Sequence, residues 1–206
     1  MKNRKVIFMA QFAILAAIEA IVCFTPLGSI PIPGLVVATL SHIPVIVAAI
    51  MLGTWAGAGM GFLFGLFSFL IWSFAPPSPV LAFVFTPLYS FGDFSGNFWS
   101  ILICFAPRVL IGVVAGLTYG FLSKRSVNRV FVCGLSGVLA TLTNTFLVLG
   151  GIYVFFGRNY AMAIGEPFGV LLGMMGMVVL TNGIPEAIIG GIAGTVCVPL
   201  KKALKQ

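Results

Sequence analysis

The chain has 206 residues, of which 60% are hydrophobic and only 7% are charged, and its mean hydropathy is +1.18. Soluble globular domains carry about 25% charged residues, so this composition excludes a protein surrounded by water. The formal net charge of +7 does not indicate nucleic-acid binding, because most basic residues flank apolar segments, as they do on the inner face of a membrane.

Apolar segments of about 20 residues, long enough to cross a bilayer core of roughly 30 Å, recur along the chain. The sequence does not show the segments of about ten residues with alternating apolar and polar side chains that are typical of a β-barrel. It therefore predicts a single all-α integral membrane domain over residues 1–206. Six transmembrane helices are predicted, at residues 6–24, 35–52, 56–74, 101–122, 128–156 and 183–200. The run Val6 to Phe24 is too long for the apolar region of a signal peptide and lacks a small-residue cleavage site, so we expect it to be retained.

The basic residues predict the topology of these helices. Nine of the eleven lie in three clusters, which comprise Lys2, Arg4, Lys5, Lys124, Arg125, Arg129, Lys201, Lys202 and Lys205. Short basic segments face the cytoplasm, so an even number of crossings must separate each pair of clusters. Six crossings meet this condition and place both termini in the cytoplasm.

Three outer loops are predicted, at residues 25–34, 75–100 and 157–182. The first is rich in proline and glycine, and the second is long, aromatic and rich in turn-forming residues, which favours ordered lids over an outward-facing ligand cavity. The third contains an apolar stretch from about 168 that ends at Asn182-Gly183-Ile184-Pro185. Because proline is tolerated in a helix's first turn, we expect the last span to begin near Pro185, after an outer or half-inserted helix around 168–180.

Several polar side chains fall in the outer half of the predicted spans, where ionisable groups mark a site or an ion pair. Arg108 follows Pro107, and it either binds a ligand or pairs with Glu186 or Glu19. His42 is the only histidine, and Pro44 is predicted to free a carbonyl and loosen the helix beside it. His42 therefore either lines the cavity or donates to that carbonyl. Asn144 and Asn182 either contact a ligand or join helices.

Small residues form two further patterns. Ala13 and Ala17, and likewise Ala16 and Ala20, are four residues apart in the first span, a spacing that lets a second helix approach closely. Glycines at positions 57, 61 and 65 of the third span are expected to pack within the chain. The four cysteines are scattered singly without metal-ligand spacing, so no metal site is predicted.

Longer motifs carry a resemblance to a known family. The segments are TPLGSIPIPG, ATLSHIPVIVAAIMLGTWAGAGMGFLFGLFS, GNFWSILICFAPRVLIGVVAGLTYGFL, TLTNTFLVLGGIYVFFG and TNGIPEAIIGGI. In this order they resemble the S component, the substrate-binding subunit, of energy-coupling factor (ECF) vitamin transporters of bacterial plasma membranes. The pantothenate-specific branch is the most similar, while the hydroxymethylpyrimidine, pyridoxine, folate and cobalamin branches share parts of the pattern.

The resemblance implies a high-affinity vitamin-binding subunit that is not itself an enzyme. ATP would be used by two separate ABC-type ATPase subunits, joined to this chain by a transmembrane coupling protein. In agreement, the sequence contains no GxxxxGK[ST] phosphate loop, so no cofactor is expected in this chain. The candidate coupling-protein interface comprises Ala13, Ala16, Ala17 and Ala20. The candidate ligand-binding residues are His42, Tyr89, Asn97, Phe98, Trp99, Arg108, Asn144, Tyr153, Asn182 and Glu186.

Two other classes fit less well. GLSG at 134–137 matches the serine motif of rhomboid intramembrane proteases, which need a histidine within hydrogen-bond reach of the serine. His42 is predicted in the outer half and Ser136 near the inner face, so the motif is better explained as a closely packed helix. A secondary transporter would show inverted repeats, and only LSHIP and TNGIP echo each other.

Overall fold

Backbone groups in hydrocarbon must bond within their own segment, and this chain meets that condition with helices. The computed structural model describes residues 2–25, 28–30 and 38–204. Its elements in chain order are α1 (Lys2–Phe24), β1 (Ser29–Ile30), β2 (Ala38–Thr39), α2 (Ile43–Leu52), α3 (Thr54–Phe74), α4 (Ala82–Phe85), β3 (Ser90–Phe91), β4 (Phe94–Ser95), α5 (Phe98–Leu122), α6 (Arg129–Gly151), α7 (Gly157–Ala163), α8 (Phe168–Val178) and α9 (Ile184–Ala203). The strands form two short antiparallel pairs, β1 with β2 and β3 with β4.

The apolar segments confirm an all-α, multi-pass membrane protein. Within the described residues, five helical segments are long and apolar enough to cross a bilayer: Arg4–Phe24, Thr54–Phe74, Phe98–Leu122, Arg129–Ala163 and Phe168–Ala203. The number of crossings and the side on which the termini lie stay predictions.

The second predicted span, 35–52, is a shorter helix in the structure. Residues 35–37 lie outside the described part of the chain, and α2 begins only at Ile43 and has 10 residues, about 15 Å of helix. Pro44 lies in its first turn, where a missing N–H breaks no helical bond. The prediction that Pro44 loosens a helix beside His42 is therefore wrong, because His42 precedes the helix as its N-cap residue.

The predicted break before the last span is a wide helical turn. A π-helical turn, Val179–Gly183, joins α8 to α9, so Phe168–Ala203 is one helical segment of 36 residues. A second such turn, Ile152–Phe156, joins α6 to α7. The wide turn ends just before Pro185, so the proline falls in the first turn of α9 and breaks no regular helical bond. Much of the predicted outer loop 157–182 is consequently helical.

The predicted outer loop 75–100 is an ordered segment. It contains a 3₁₀ turn at Pro79–Leu81, then α4 and the β3–β4 hairpin. It ends before Phe98, where α5 begins, because the side chain of Asn97 caps α5 and the Ser100 hydroxyl accepts a bond from the Asn97 backbone N–H. Of the predicted loop 25–34, residues 26–27 and 31–34 lie outside the described residues.

Close helix packing depends on glycine at two crossings. A Cβ on Gly112 of α5 would overlap the backbone of Gly57 in α3, and a Cβ on Gly137 of α6 would overlap Gly190 in α9. This confirms that the glycines of the third span pack within the chain. Ser136, beside Gly137, donates to Val132 of its own helix at 2.7 Å, as expected for a helix-packing role.

Two hydrophobic clusters fill the described chain. One lies among α2, α3, α5, α6 and α9 and includes Ile46, Met60, Phe64 and Ile111. The other joins α4 to α5, α8 and the segment around Phe156. The lid segment, which we define as residues 75–97, belongs to this second cluster through Phe83 and Phe85. It is fastened near its middle by hydrogen bonds at Phe83 and Thr86, described below.

We predict that Gly112→Ala lowers the thermal unfolding temperature measured in detergent, because the added methyl group meets backbone atoms that cannot move aside. Overpacking of this kind typically costs about 1–3 kcal/mol. Gly120→Ala is the matched control on the same helix, since nothing lies within 4 Å of its Cβ position. It should be neutral or stabilising, as alanine is a better helix former by about 1 kcal/mol. Equal unfolding temperatures for the two variants would contradict the packing described here.

Candidate functional site

The buried guanidinium of Arg108 is oriented by the proline beside it. Pro107 lies inside α5 and has no N–H, so the carbonyl of Ile103, four residues earlier, lacks its usual helical donor. The Nη1 of Arg108 donates to that carbonyl at 2.9 Å. The side chain therefore runs back along α5 toward the helix N-terminus. This local bond uses one of the five N–H groups of the guanidinium.

Two aromatic rings lie against the same guanidinium. Its central carbon is 5.7 Å from the ring centroid of Phe64 in α3 and 5.4 Å from that of Phe85 in α4. Such contacts stabilise a cation that has been taken out of water. Phe85 stacks in turn on Trp72, with 4.6 Å between centroids. Phe85 of the lid segment therefore lies against the guanidinium of Arg108, and the role of this segment as a lid stays a prediction.

Acidic side chains approach the site from α1 and α9. Glu19 is fully buried, and its Oε1 accepts a hydrogen bond from the Cys23 thiol at 3.3 Å. The Ser41 hydroxyl lies within hydrogen-bonding range of the same thiol. Glu186 is also buried and lies in the first turn of α9.

His42 joins the face of α9 that carries Glu186. Gly190 lies one helical turn after Glu186, and a Cβ there would be 3.4 Å from Nε2 of His42 and would overlap the hydroxyl of Thr141. Asn182, one turn before Glu186, is buried and accepts a bond from the Thr181 hydroxyl at 3.1 Å. Of these three positions on successive turns, Gly190 is the one with described contacts to His42 and to Thr141 of α6.

We call the polar side chains in the interior of α1, α5, α6, the residues before α2 and the last helical segment the interior polar cluster. It comprises Glu19, Cys23, Ser41, His42, Arg108, Thr141, Asn144, Asn182 and Glu186. In the described part of the chain, three of its buried atoms have no hydrogen-bond partner: Oε2 of Glu19, Nε of Arg108 and Oδ1 of Asn144. Buried polar atoms normally form hydrogen bonds, and each one that forms none lowers the stability of the folded protein by about 1–3 kcal/mol. One donor and two acceptors are thus available to a ligand in an otherwise apolar interior.

The remaining predicted site residues lie near the lid and not in this cluster. Asn97 caps α5 by accepting from the backbone N–H of Trp99 at 2.9 Å. Trp99 stacks on Phe155 with 4.1 Å between centroids, and Phe98 is 71% exposed. Tyr153 stacks on Phe168, and Tyr89 is half-buried. No described contact joins these five residues to Arg108, and their role in binding stays a prediction.

Other members of the site were missed from sequence. Glu19 was considered only as an ion-pair partner, although an acid isolated in a long apolar helix is itself a signal of function. Phe64 and Phe85 gave no signal, because they are two of 20 phenylalanines. Cys23 and Ser41 also lacked one, since only folding brings α1 against the residues before α2.

The four alanines of the candidate coupling-protein interface lie on two different faces of α1. Ala13 and Ala17 are exposed, whereas Ala16 and Ala20 are half-buried. Ala16 packs against the hydrophobic cluster that contains Ile46, so it contacts this chain. Within the most apolar window of α1 only 6% of residues are buried, which leaves the Ala13–Ala17 face uncovered.

Comparison with known proteins agrees with the resemblance seen in the sequence. The family model of the ECF transporter substrate-specific component matches residues 8–200. The pantothenic acid transporter PanT of Lactococcus lactis subsp. cremoris is 33% identical over 201 residues, which are 97% of this chain and 95% of that protein. The pantothenate transporter PanT of Leuconostoc mesenteroides subsp. mesenteroides is 28% identical over 211 residues, covering 97% of this chain and 96% of that protein.

Asn144→Leu should leave the unfolding temperature of the ligand-free protein unchanged or raise it, because it removes a buried oxygen that has no described partner. Ser100→Ala is the contrasting variant, because the Ser100 hydroxyl is buried and donates to the carbonyl of Phe83 at 2.7 Å. Its loss should destabilise the protein by about 1–3 kcal/mol. Thermal unfolding of both variants tests this, and a large loss of stability in Asn144→Leu alone would show that Asn144 has a structural partner.

Proposed function

Because the chain belongs to the substrate-specific components of ECF transporters, we propose that it captures pantothenate outside the cell for an ATP-driven importer. The observation that carries this proposal is the interior polar cluster, with a buried cation and three polar atoms that the described chain does not satisfy. Two relatives that align along nearly the whole chain are named as pantothenate transporters.

The chemistry of pantothenate complements these groups. The molecule has one carboxylate, one amide and two hydroxyl groups. The guanidinium of Arg108 supplies the charge for the carboxylate, and charge-assisted bonds of this kind are the strong ones. Oε2 of Glu19 and Oδ1 of Asn144 accept from hydroxyl and amide hydrogens. His42 lies at the edge of the cluster, against Gly190, and adds an imidazole to the polar wall.

The lid segment controls access in this proposal. Phe85 lies against the guanidinium, so a carboxylate reaches Arg108 only when the lid moves or the ring turns aside. The lid is held by a bond between the Ser73 and Thr86 hydroxyls at 2.7 Å and by Ser100 bonding Phe83. Once closed, it excludes water from the ion pair, which strengthens the pair.

Energy coupling lies outside this chain. A transmembrane coupling protein would dock on the exposed Ala13–Ala17 face of α1, and two ABC-type ATPase subunits would hydrolyse ATP. Small residues on that face let a partner helix approach closely. Both termini are proposed to lie in the cytoplasm, where the three basic clusters meet anionic lipid.

Arg108→Ala is expected to weaken pantothenate binding at least ten- to a hundred-fold in isothermal titration of the purified protein. The reason is the loss of a charge-assisted hydrogen bond, worth about 1.5–3 kcal/mol. His42→Ala should weaken binding less, since a neutral imidazole offers one ordinary hydrogen bond. Arg158→Ala is the matched control, because Arg158 is an exposed cation on α7.

Two outcomes of the titration would correct the proposal. If a folded Arg108→Ala protein binds as tightly as the parent, Arg108 is a structural residue and other groups hold the carboxylate. If hydroxymethylpyrimidine, pyridoxine, folate or cobalamin gives a binding signal and pantothenate gives none, the family stands and the vitamin assigned here is wrong.

Ala13→Trp and Ala17→Trp should abolish uptake of labelled pantothenate by vesicles containing the full transporter while leaving binding intact. Each indole would stand on the exposed face of α1, which points away from the buried Glu19, and block the approach of a partner helix. Leu117→Trp on α5 is the control, since Leu117 is 60% exposed. The chain reconstituted alone should bind without accumulating vitamin. Normal uptake by both variants would assign the α1 face to lipid.

A further inference from the structure

A second concave site lies at the end of the bundle opposite the lid segment. Its volume is about 510 Å³, within the range of small-molecule pockets, and α1, α2, α5, α6 and α9 all contribute to its walls. Three cations line it, namely Arg129 at the start of α6 and Lys201 and Lys202 at the end of α9. The function proposed above does not use this cavity.

The charge of this cavity is not compensated within the described chain. Of the four acids in the sequence, Glu19 and Glu186 are buried in the interior polar cluster, and Asp93 and Glu166 are exposed in other segments. None of them lines the cavity. Three cations around one concavity form a site for an anion with several acceptor oxygens.

One of the cations is fixed in place by a neutral residue. The Nζ of Lys201 donates to the hydroxyl of Tyr119 at 2.6 Å and lies 3.8 Å from the centroid of that ring. Tyr119 holds the ammonium group at the cavity wall without neutralising it. Gln11 of α1 adds an uncharged hydrogen-bonding group to the same wall. The arrangement therefore combines fixed charge with further hydrogen-bonding groups.

The apolar part of the wall indicates which anion fits. Val198 and Leu204 line the cavity beside the lysines, and the adjoining surface of α9 is apolar and exposed, with Val196 and Leu200 on it. A soluble phosphate would use the cations alone, whereas a phospholipid would also cover this apolar surface with its acyl chains. We propose that the cavity binds the phosphate headgroup of an anionic phospholipid from the cytoplasmic leaflet.

The test is native mass spectrometry of the full chain in a neutral detergent, titrated with phosphatidylglycerol. Phosphatidylcholine of the same chain length measures how much of the binding comes from the acyl chains. Inorganic phosphate measures how much comes from the anion alone. Retention of phosphatidylglycerol should exceed that of both. Replacing Arg129 and Lys202 together by Gln should weaken retention by roughly five-fold per charge removed.

The control is Lys124→Gln, which removes one charge from the same predicted membrane face without touching the cavity wall. It should change retention by much less than Lys202→Gln alone. Lys202→Arg keeps the charge and should retain phosphatidylglycerol as the parent does. The comparison of Lys202→Arg with Lys202→Gln tests the site if the double variant fails to fold. Equal retention by the parent and Lys202→Gln, or an equal loss in Lys124→Gln, would overturn the site. Inorganic phosphate binding as tightly as phosphatidylglycerol would overturn the lipid assignment.

Discussion

The burial of one guanidinium shapes the packing of the end of the bundle that carries the lid segment. Arg108 lies between the two hydrophobic clusters, touching Phe64 of one and Phe85 of the other. A cation in such a place is costly unless its donors and its charge are met. Pro107 provides one acceptor by freeing the carbonyl of Ile103. The Nε–H of Arg108 has no hydrogen-bond partner within the described residues.

The helices around Arg108 are arranged so that polar groups from distant parts of the chain meet there. Because α2 begins at Ile43, His42 and Ser41 precede a helix instead of lying in its middle. Their side chains can therefore reach α9 and α1. The glycine contact between α6 and α9 brings Thr141 close to His42, so close packing and site geometry are parts of one arrangement. Phe85 of the lid segment then lies against Arg108.

Most charged residues in the rest of the molecule lie at the ends of the helices. The exposed faces of the long helices are apolar, while basic residues gather where α5 ends, α6 begins and α9 ends. At that end Tyr119 positions Lys201 without neutralising it. The two ends of the bundle therefore offer different chemistry, with a closed polar cluster under the lid and a basic cavity at the opposite end.

The sequence alone determined the class of this protein, because the apolar composition and the length of the apolar runs are set by the thickness of the bilayer that the helices cross. It also identified Arg108, His42, Asn144, Asn182 and Glu186 as candidates, since polar groups stand out in apolar helices. Helix ends were less predictable. Pro44 was compatible with both a loosened helix and a helix start, and Pro185 with both a break and a wide turn. The local sequence does not determine which backbone hydrogen bonds form, because that depends on the packing of neighbouring segments. Only the tertiary structure placed Phe64 and Phe85 against Arg108, and Cys23 beside Glu19 and Ser41. Their side chains are ordinary in this chain, and they acquire a role only from what packing places beside them.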